Sequence, residues 1–213
     1  MDLDQETRQV VLVGCGLDTR PYRLPWPGGT VLFEVAGADA HALAASRLKE
    51  TGAHVPRACL LRRVSASLGS EDSFAASLTS AGLRGDRLSL WALQGLPALG
   101  LDRAAMQTVL TDVANMAAFG SILAGELPVM SRSAAEDLLA EFGFLGRVIS
   151  AHQLNLPDSN LPEELQEEVQ QEEEQRWLFV ARCQQRSSQE MDTYADHVAA
   201  MEEAGEDFFG NFC

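Results

Sequence analysis

The sequence lacks the signatures of several common classes of protein. Its four cysteines form no CxxC pair and have no histidine at metal-ligand spacing, so no metal site is predicted. No apolar run approaches the length of a membrane span. Only 16 basic residues stand against 31 acidic ones, and the formal charge of −15 argues against nucleic acid as a partner because it repels phosphate backbones.

The cysteines and the first residues together predict a compartment. Three of the four cysteines sit within or beside apolar runs, as buried reduced thiols do. The opening stretch MDLDQETR is neither a signal peptide nor a basic, serine-rich transit peptide. We therefore expect an intracellular protein, either cytoplasmic or organellar after removal of a presequence.

What the sequence does contain is a regular alternation of apolar runs and helical patterns. Strands are predicted at Val10–Val13, Val31–Val35, Leu60–Val64, Leu88–Leu93, Ile122–Leu127 and Val148–Ile149. Helices are predicted at Ala38–Thr51, Glu71–Ala81, Asp102–Ala118 and Ser131–Phe142, the last two capped by Asp102 and by Ser131 or Ser133. This alternation predicts an α/β fold with a mostly parallel sheet. A last run, Trp177–Cys183, is predicted as an antiparallel strand at or near the sheet edge.

Two polar segments lie outside this alternation. The acidic stretch Glu163–Glu174 is either a solvated helix or loop or an acidic docking surface for a protein partner. The tail from Gln184 onward ends in EDFFGNFC, and its aromatic residues either pack back on the domain or anchor a partner. We accordingly divide the chain into an α/β domain, 1–183, and an acidic C-terminal tail, 184–213.

A glycine turn follows the first predicted strand. Gly14 and Gly16 bracket Cys15, and glycine there permits close approach of a ligand to the backbone and a positive φ. A dinucleotide-binding loop would have a third glycine where this chain has Thr19, so no pyrophosphate loop is present. The turn alone is equally compatible with a bound ligand and with a tight connection that binds nothing.

The residues around the turn are more specific. Val10–Val35 resembles the leucine carboxyl methyltransferase family, whose pattern is an apolar strand, GxGLDTR, Tyr-Arg-Leu, Pro-Trp-Pro and FEVD. Weaker similarity continues through Ser89–Leu99 and Gly120–Pro128. The resemblance implies the Rossmann-like sheet of class I methyltransferases, mostly parallel with an antiparallel last strand. It also implies S-adenosylmethionine as the cofactor, which carries no phosphate and needs no third glycine.

The resemblance also implies a set of cofactor-binding residues. They are Gly14, Cys15, Gly16, Asp18, Glu34 and Gln94. Asp18 belongs to the DTR turn with Arg20, and capping of the following helix is an interpretation of equal weight for it. No catalytic residue is implied, because methyl transfer needs chiefly positioning of an electron-rich acceptor.

The chain departs from the family pattern at three carboxylates. Ala36 stands where the family has its ribose-binding aspartate, Ser67 where it has an acid after the third strand, and Gln94 where it has glutamate. Asp39, one helical turn after Ala36, is a candidate substitute. The family also has an N-terminal helical region before its glycine motif that covers the cofactor. With only eight residues before Gln9, we expect this lid to be absent from the chain.

These observations leave two hypotheses about function. The first is an S-adenosylmethionine-dependent methyltransferase that acts on a carboxyl or hydroxyl oxygen of a small molecule or protein. The second is a degenerate, non-catalytic methyltransferase fold that serves as a structural or protein-interaction module. A fold-level resemblance does not separate them, because function depends on the site and not on the scaffold.

Overall fold

A computed structural model describes residues 7–14, 17–70, 73–150 and 175–210, with the backbone alone for residue 175 and residues 202–210. The described strands are β1 (Gln9–Val13), β2 (Val31–Ala36), β3 (Leu60–Ser65), β4 (Ser89–Leu93), β5 (Ile122–Met130), β6 (Phe144–Ser150) and β7 (Gln175–Cys183). The described α-helices are α1 (Arg20–Arg23), α2 (Ala38–Thr51), α3 (Ala75–Ser80), α4 (Arg103–Met116), α5 (Arg132–Glu141) and α6 (Ser188–Gly210). None of these helices is long and apolar enough to cross a membrane.

All seven strands form one sheet, in the order β3-β2-β1-β4-β5-β7-β6. β1 is central and pairs in parallel with β2 and β4. β7 lies between β5 and β6 and runs antiparallel to both. The predicted α/β class, the central position of the first strand and the antiparallel strand next to one edge are therefore confirmed.

The two faces of the sheet are covered unequally. One face and the helices α3, α4 and α5 enclose the larger apolar core, which includes Leu78, Leu110 and Leu138 from these helices. The other face has a smaller cluster around Val10, Leu12 and Leu32, at the β1–β2 half of the sheet. Right-handed crossovers account for this division, because connections running in opposite directions along the sheet place their helices on opposite faces.

The two predicted helix caps at Asp102 and Ser131 are present. The Asp102 carboxylate accepts a hydrogen bond from the backbone N–H of Ala105 at 2.9 Å, and the Ser131 hydroxyl accepts one from Ala134 at 3.3 Å. Each side chain thereby satisfies one of the free N–H groups in a first helical turn.

Several predicted bounds differ from the structure. α3 is described at Ala75–Ser80 of the predicted Glu71–Ala81, of which residues 71 and 72 lie outside the described residues. Just before it, the Phe74 backbone N–H donates to the Asp112 carboxylate at 2.8 Å. β6 is longer than Val148–Ile149, since its alternate residues are exposed and interrupt the apolar run. The short helix α1 was not predicted. The acidic stretch 163–174, with its two interpretations, lies outside the described residues.

Candidate functional site

Gly14 follows β1 directly and has a backbone conformation that favours glycine. Its φ is +84°, and its N–H donates to the Val35 carbonyl at 2.9 Å. A β-carbon at this position would lie 2.4 Å from Cδ2 of Leu96 and 2.9 Å from the Gln94 carbonyl oxygen. The turns that follow β1 and β4 therefore pack so closely that a side chain at residue 14 has no room. The other two predicted members of the turn, Cys15 and Gly16, lie outside the described residues.

A cavity of about 780 Å³ opens beside this turn. It lies at the carboxyl ends of β1 to β4, where open α/β sheets bind their ligands. Its volume is within the range of small-molecule sites. Polar or glycine positions in its wall are Gly14, Asp18, Arg20, Arg23, Gly37, Ser67, Gln94 and Gly95.

The structure brings together some of the predicted site residues and separates one. Gly14, Asp18 and Gln94 line the cavity, as do Ala36 and Ser67, two positions at which the family pattern has a carboxylate. Glu34 does not line it: the side chain lies within β2 and is almost fully buried. Asp39 is exposed on α2 and is not part of the described cavity wall.

Glu34 belongs to a buried polar group behind the cavity. Its Oε2 accepts a hydrogen bond from Arg63 Nε at 3.1 Å, and Arg63 also donates to the Tyr22 hydroxyl at 2.9 Å. Burial raises the pKa of Glu34, an effect that the hydrogen bond and the charge of Arg63 oppose. Burial also raises the pKa of Tyr22, and the negative charge of Glu34 adds to that rise.

This polar group fixes one wall of the cavity. Tyr22 lies in α1, between the cavity-lining residues Arg20 and Arg23, so its contact with Arg63 ties α1 to β3. The Trp26 indole N–H donates to the Arg20 carbonyl at 2.9 Å and holds the other side of the same helix. The sequence showed these residue types, but the partner of Glu34 is set by the register between β2 and β3 and not by spacing along the chain.

Asp18 closes the turn that leads into α1. One carboxylate oxygen accepts from the Arg20 backbone N–H at 2.7 Å, and the other accepts from Arg20 Nε at 2.7 Å and pairs with its terminal amino group. The cap residue of α1 is Thr19 and has no side-chain cap hydrogen bond, so Asp18 closes the turn but is not the helix cap. The same residue also lines the cavity, so its charge is offset there by the guanidinium of Arg20.

Three leucines at the cavity are unusually exposed. Leu17, Leu43 and Leu99 line it with 59%, 49% and 56% of their surfaces accessible. They come from the glycine turn, from α2 and from the segment after β4, and no sequence pattern linked them. Their convergence gives the cavity an apolar rim suited to the flat faces of an aromatic ring or to an apolar cover.

The geometry and the family pattern agree with comparisons to known proteins. The sequence profile of the family described as leucine carboxyl methyltransferase matches residues 2–114, more than half of the 213 residues. The chain belongs to this family. O-methyltransferase 1, chloroplastic, of Oryza sativa subsp. japonica is 36% identical over 137 residues, which are 64% of this chain and 37% of the rice protein. The chain thus spans well under half the length of that relative.

Solved structures share the fold at low sequence identity. Phosphoethanolamine N-methyltransferase 2 of Haemonchus contortus, in complex with S-adenosyl-L-methionine, has a TM-score of 0.54 at 7% identity, covering 86% of this chain and 50% of that one. A TehB-like SAM-dependent methyltransferase from Corynebacterium glutamicum has a TM-score of 0.52 at 13% identity, covering 85% and 83%. The predicted family and the Rossmann-like methyltransferase fold are confirmed.

Proposed function

We propose that this chain binds S-adenosylmethionine in the cavity beside Gly14 and forms the cofactor half of a methyltransferase site. The observation that carries the proposal is the cavity itself, which the carboxyl ends of four neighbouring parallel strands surround at the glycine turn of the family motif. A site at this place in the sheet is where such folds accept a nucleoside.

The residues present fit the cofactor in part. Gln94 and Ser67 offer hydrogen-bonding groups to an adenine or a ribose, and Leu68 and Leu101 offer apolar surface to an adenine ring. Arg23 places positive charge in the wall, which suits the carboxylate of the methionine part, whereas the charge of Arg20 is offset by Asp18. The close packing at Gly14 keeps the backbone of the turn free of a side chain.

The fit is weakest at the ribose. A carboxylate at residue 36 would accept hydrogen bonds from both ribose hydroxyls, and Ala36 accepts none from its side chain. Hydrogen bonds to charged groups contribute about 1.5–3 kcal/mol each. Loss of two would weaken binding roughly a hundredfold to ten-thousandfold, enough to move a micromolar site toward the millimolar range.

Bound S-adenosylmethionine would supply an activated methyl group for an in-line displacement. The chain's own part is then to hold the cofactor and to exclude water, and no side-chain nucleophile is required. We propose a carboxyl or hydroxyl oxygen of a small molecule or protein as the acceptor. We keep residues 1–183 as the methyltransferase-like unit and 184–213 as a separate tail.

A non-catalytic role is the second candidate, and one observation favours it. Within the described cavity wall the single carboxylate is Asp18, and Arg20 already engages it. A wall without a free carboxylate recognises the ribose poorly. The fold would then serve as a structural or protein-interaction module.

Titration calorimetry with S-adenosylmethionine and with its demethylated product separates the two candidates. A working site should bind either ligand in the micromolar range and raise the thermal midpoint, because a ligand bound only by the folded state stabilises it. Ala36→Asp should tighten binding by roughly tenfold or more, since it returns an acceptor to the ribose. Ala40→Asp is the matched control, because Ala40 lines the same cavity from α2 instead of from the end of β2.

The outcomes differ clearly. Micromolar binding by the unaltered chain would remove the non-catalytic candidate. Binding that appears in Ala36→Asp but not in Ala40→Asp or the unaltered chain would support a cofactor cavity that has lost its ribose acceptor. Absence of heat in all three proteins at millimolar ligand would overturn the proposal.

A further inference from the structure

Along β5, β7 and β6 the helices α4 and α5 cover one face of the sheet, and none of the helices in the described ranges is placed on the opposite face, where Leu145 and Val180 are exposed. Side chains in these strands alternate between buried residues that face the helices and residues that point away from them. The outward side chains include Ile122, Ala124, Leu178, Val180, Leu145 and Ile149, with Val180 46% and Leu145 59% exposed. Register places Arg182 between Ile122 and Leu145, and Arg147 beside Val180, so apolar and charged side chains alternate on this surface, which we call the open face.

The open face carries positive charge in an acidic protein. Among the described residues of this face, Arg147, Arg176 and Arg182 are exposed, and Glu126 supplies the one carboxylate. The whole chain has a formal charge of −15. A surface on which apolar side chains alternate with arginines is complementary to an amphipathic helix that carries acidic residues.

Helix α6 has these properties, and most of its described apolar side chains are exposed, with the Arg186 guanidinium over one of them, the Tyr194 ring, at 5.4 Å. Met191, Tyr194, Val198 and Met201 follow each other at helical spacing and form one stripe, with Met191, Tyr194 and Met201 more than half exposed. Between Ser188 and Met201 the helix has three acidic residues and neither lysine nor arginine. The stripe is apolar, and the helix around it is negatively charged.

The helix cannot reach the open face of its own chain from where it begins. Glu190 accepts from the backbone N–H of Phe119 at 2.9 Å, and the Ser187 hydroxyl donates to the Gly85 carbonyl at 2.6 Å. These contacts start α6 beside α4, on the helix-covered side of the sheet. The open face is on the opposite side, so α6 does not cover the open face of its own chain.

We propose that two copies of this chain associate reciprocally, with the α6 stripe of each copy seated on the open face of the other. One chain thus carries two unpartnered surfaces of complementary charge, and a closed two-fold pair covers both surfaces in both copies. The association involves none of the residues that line the cavity, so a test of the association does not depend on the proposed function.

Sedimentation velocity over a concentration series tests the association. The unaltered chain should form a dimer that dissociates on dilution. Val180→Glu on the open face and Met201→Glu on the helix should each raise the dissociation constant by about tenfold or more, because each buries a new carboxylate at the contact. Arg147 lies directly opposite Val180 on the neighbouring strand, so the new glutamate has a partner in the folded monomer.

Matched variants distinguish loss of the contact from misfolding of the variant. Ala200→Glu adds the same charge on the other side of α6, away from the stripe, and should leave the dimer intact. Leu145→Glu is a second variant of the open face, and Arg182 lies opposite it in register. Circular dichroism and thermal unfolding establish that each variant is folded.

Mixing the two disrupted variants decides the pairing. Val180→Glu leaves the α6 stripe unchanged, and Met201→Glu leaves the open face unchanged. An equimolar mixture should therefore form a dimer at concentrations where neither variant does so alone. A chain that stays monomeric at high concentration would overturn the proposal. Dimers of Met201→Glu alone would show pairing of face with face, dimers of Val180→Glu alone would show pairing of helix with helix, and either result would also overturn it.

Discussion

Glu34 and Arg63 lie opposite each other in register on the parallel strands β2 and β3, with 3.1 Å between Oε2 and Nε. The carboxylate is almost completely buried, whereas the guanidinium is about one-third exposed. The glutamate of the family motif is thus part of the support for the cavity, while the cavity wall itself is formed by the ends of the strands.

Replacement of Glu34 by glutamine should change how stability depends on pH. Burial raises the pKa of Glu34 above its ordinary value of 4.5. Between pH 4.5 and the raised pKa of Glu34 in the folded state, the folded chain binds more protons than the unfolded chain. The free energy of unfolding therefore falls as pH rises through this window. The free energy of unfolding of the unaltered chain, minus that of Glu34→Gln, should therefore decrease with rising pH and then level off.

Urea unfolding in a pH series measures this difference. The series begins at pH about 5, above the isoelectric point of about 4.6 where solubility is lowest. Glu50→Gln, which removes an exposed carboxylate on α2, is the control for the loss of a carboxylate elsewhere in the chain. A difference that stays constant or increases with pH for Glu34→Gln would contradict the prediction.

The Tyr22 phenol should titrate above its ordinary pKa of 10.0, because it is partly buried and lies near the Glu34 carboxylate. The sequence has two tyrosines, so tyrosinate absorbance in a Tyr194→Phe chain reports Tyr22 alone. Adding Glu34→Gln removes a negative charge and should lower the pKa of Tyr22 toward its ordinary value. An unchanged titration in the double variant would show that Glu34 does not act on Tyr22. Circular dichroism across the range confirms that the chain stays folded.

Gly14→Ala should destabilise the chain more than substitution of a glycine with similar backbone geometry. Gly14 and Gly29 have φ values of +84° and +85°, but a β-carbon at Gly14 meets Leu96 and Gln94 whereas none of the described atoms lies within 4 Å of one at Gly29. We expect a loss of about 1 kcal/mol for Gly29→Ala from the backbone alone and about 3 kcal/mol or more for Gly14→Ala. Denaturant midpoints measure both. Equal losses would mean that the packing at Gly14 is not as close as described.

Asp112→Asn should loosen the start of α3. The buried Asp112 carboxylate accepts from the Ser73 hydroxyl at 2.6 Å and from the Phe74 backbone N–H at 2.8 Å. An amide has only one accepting oxygen, so one of the two donors loses its partner, at a cost of about 1–3 kcal/mol. Chemical denaturation of Asp112→Asn, Ser73→Ala and the double variant measures the coupling. Strictly additive losses would rule out a shared interaction.

The fold could be predicted largely from the sequence, because strands that are buried on both faces appear in the sequence as apolar runs. Val10–Val13 is apolar throughout, as a central parallel strand covered on both faces should be. The strand Phe144–Ser150 was harder to predict, because Leu145 and Arg147 face the open side of the sheet and are exposed, so the apolar run is interrupted. The four residues of α1 are too few for any periodicity, and contacts from Asp18 and Trp26 hold that helix in place.

The site could be predicted only in part. Gly14 was predicted from its place after a strand, and Asp18 and Gln94 from the resemblance to the family pattern; all three line the cavity, because strand ends meet at one edge of the sheet. Glu34 precedes the strand end by two residues and points into the protein, where register selects Arg63 as its partner. The placement of Leu17, Leu43 and Leu99 around one cavity depends on tertiary packing, which leaves no periodic signal.

The position of β7 in the sheet also determines when the protein can finish folding during its synthesis. β6 pairs with β7 alone, and β7 is the last strand of the sheet to be made. Until residues 175–183 have left the ribosome, β6 has no neighbour in the sheet and the outer edge of β5 stays unpaired. Unpaired strand edges are templates for aggregation. A nascent chain of this protein therefore exposes two incomplete edges until residues 175–183 are translated, and the insertion of β7 between them completes the described sheet.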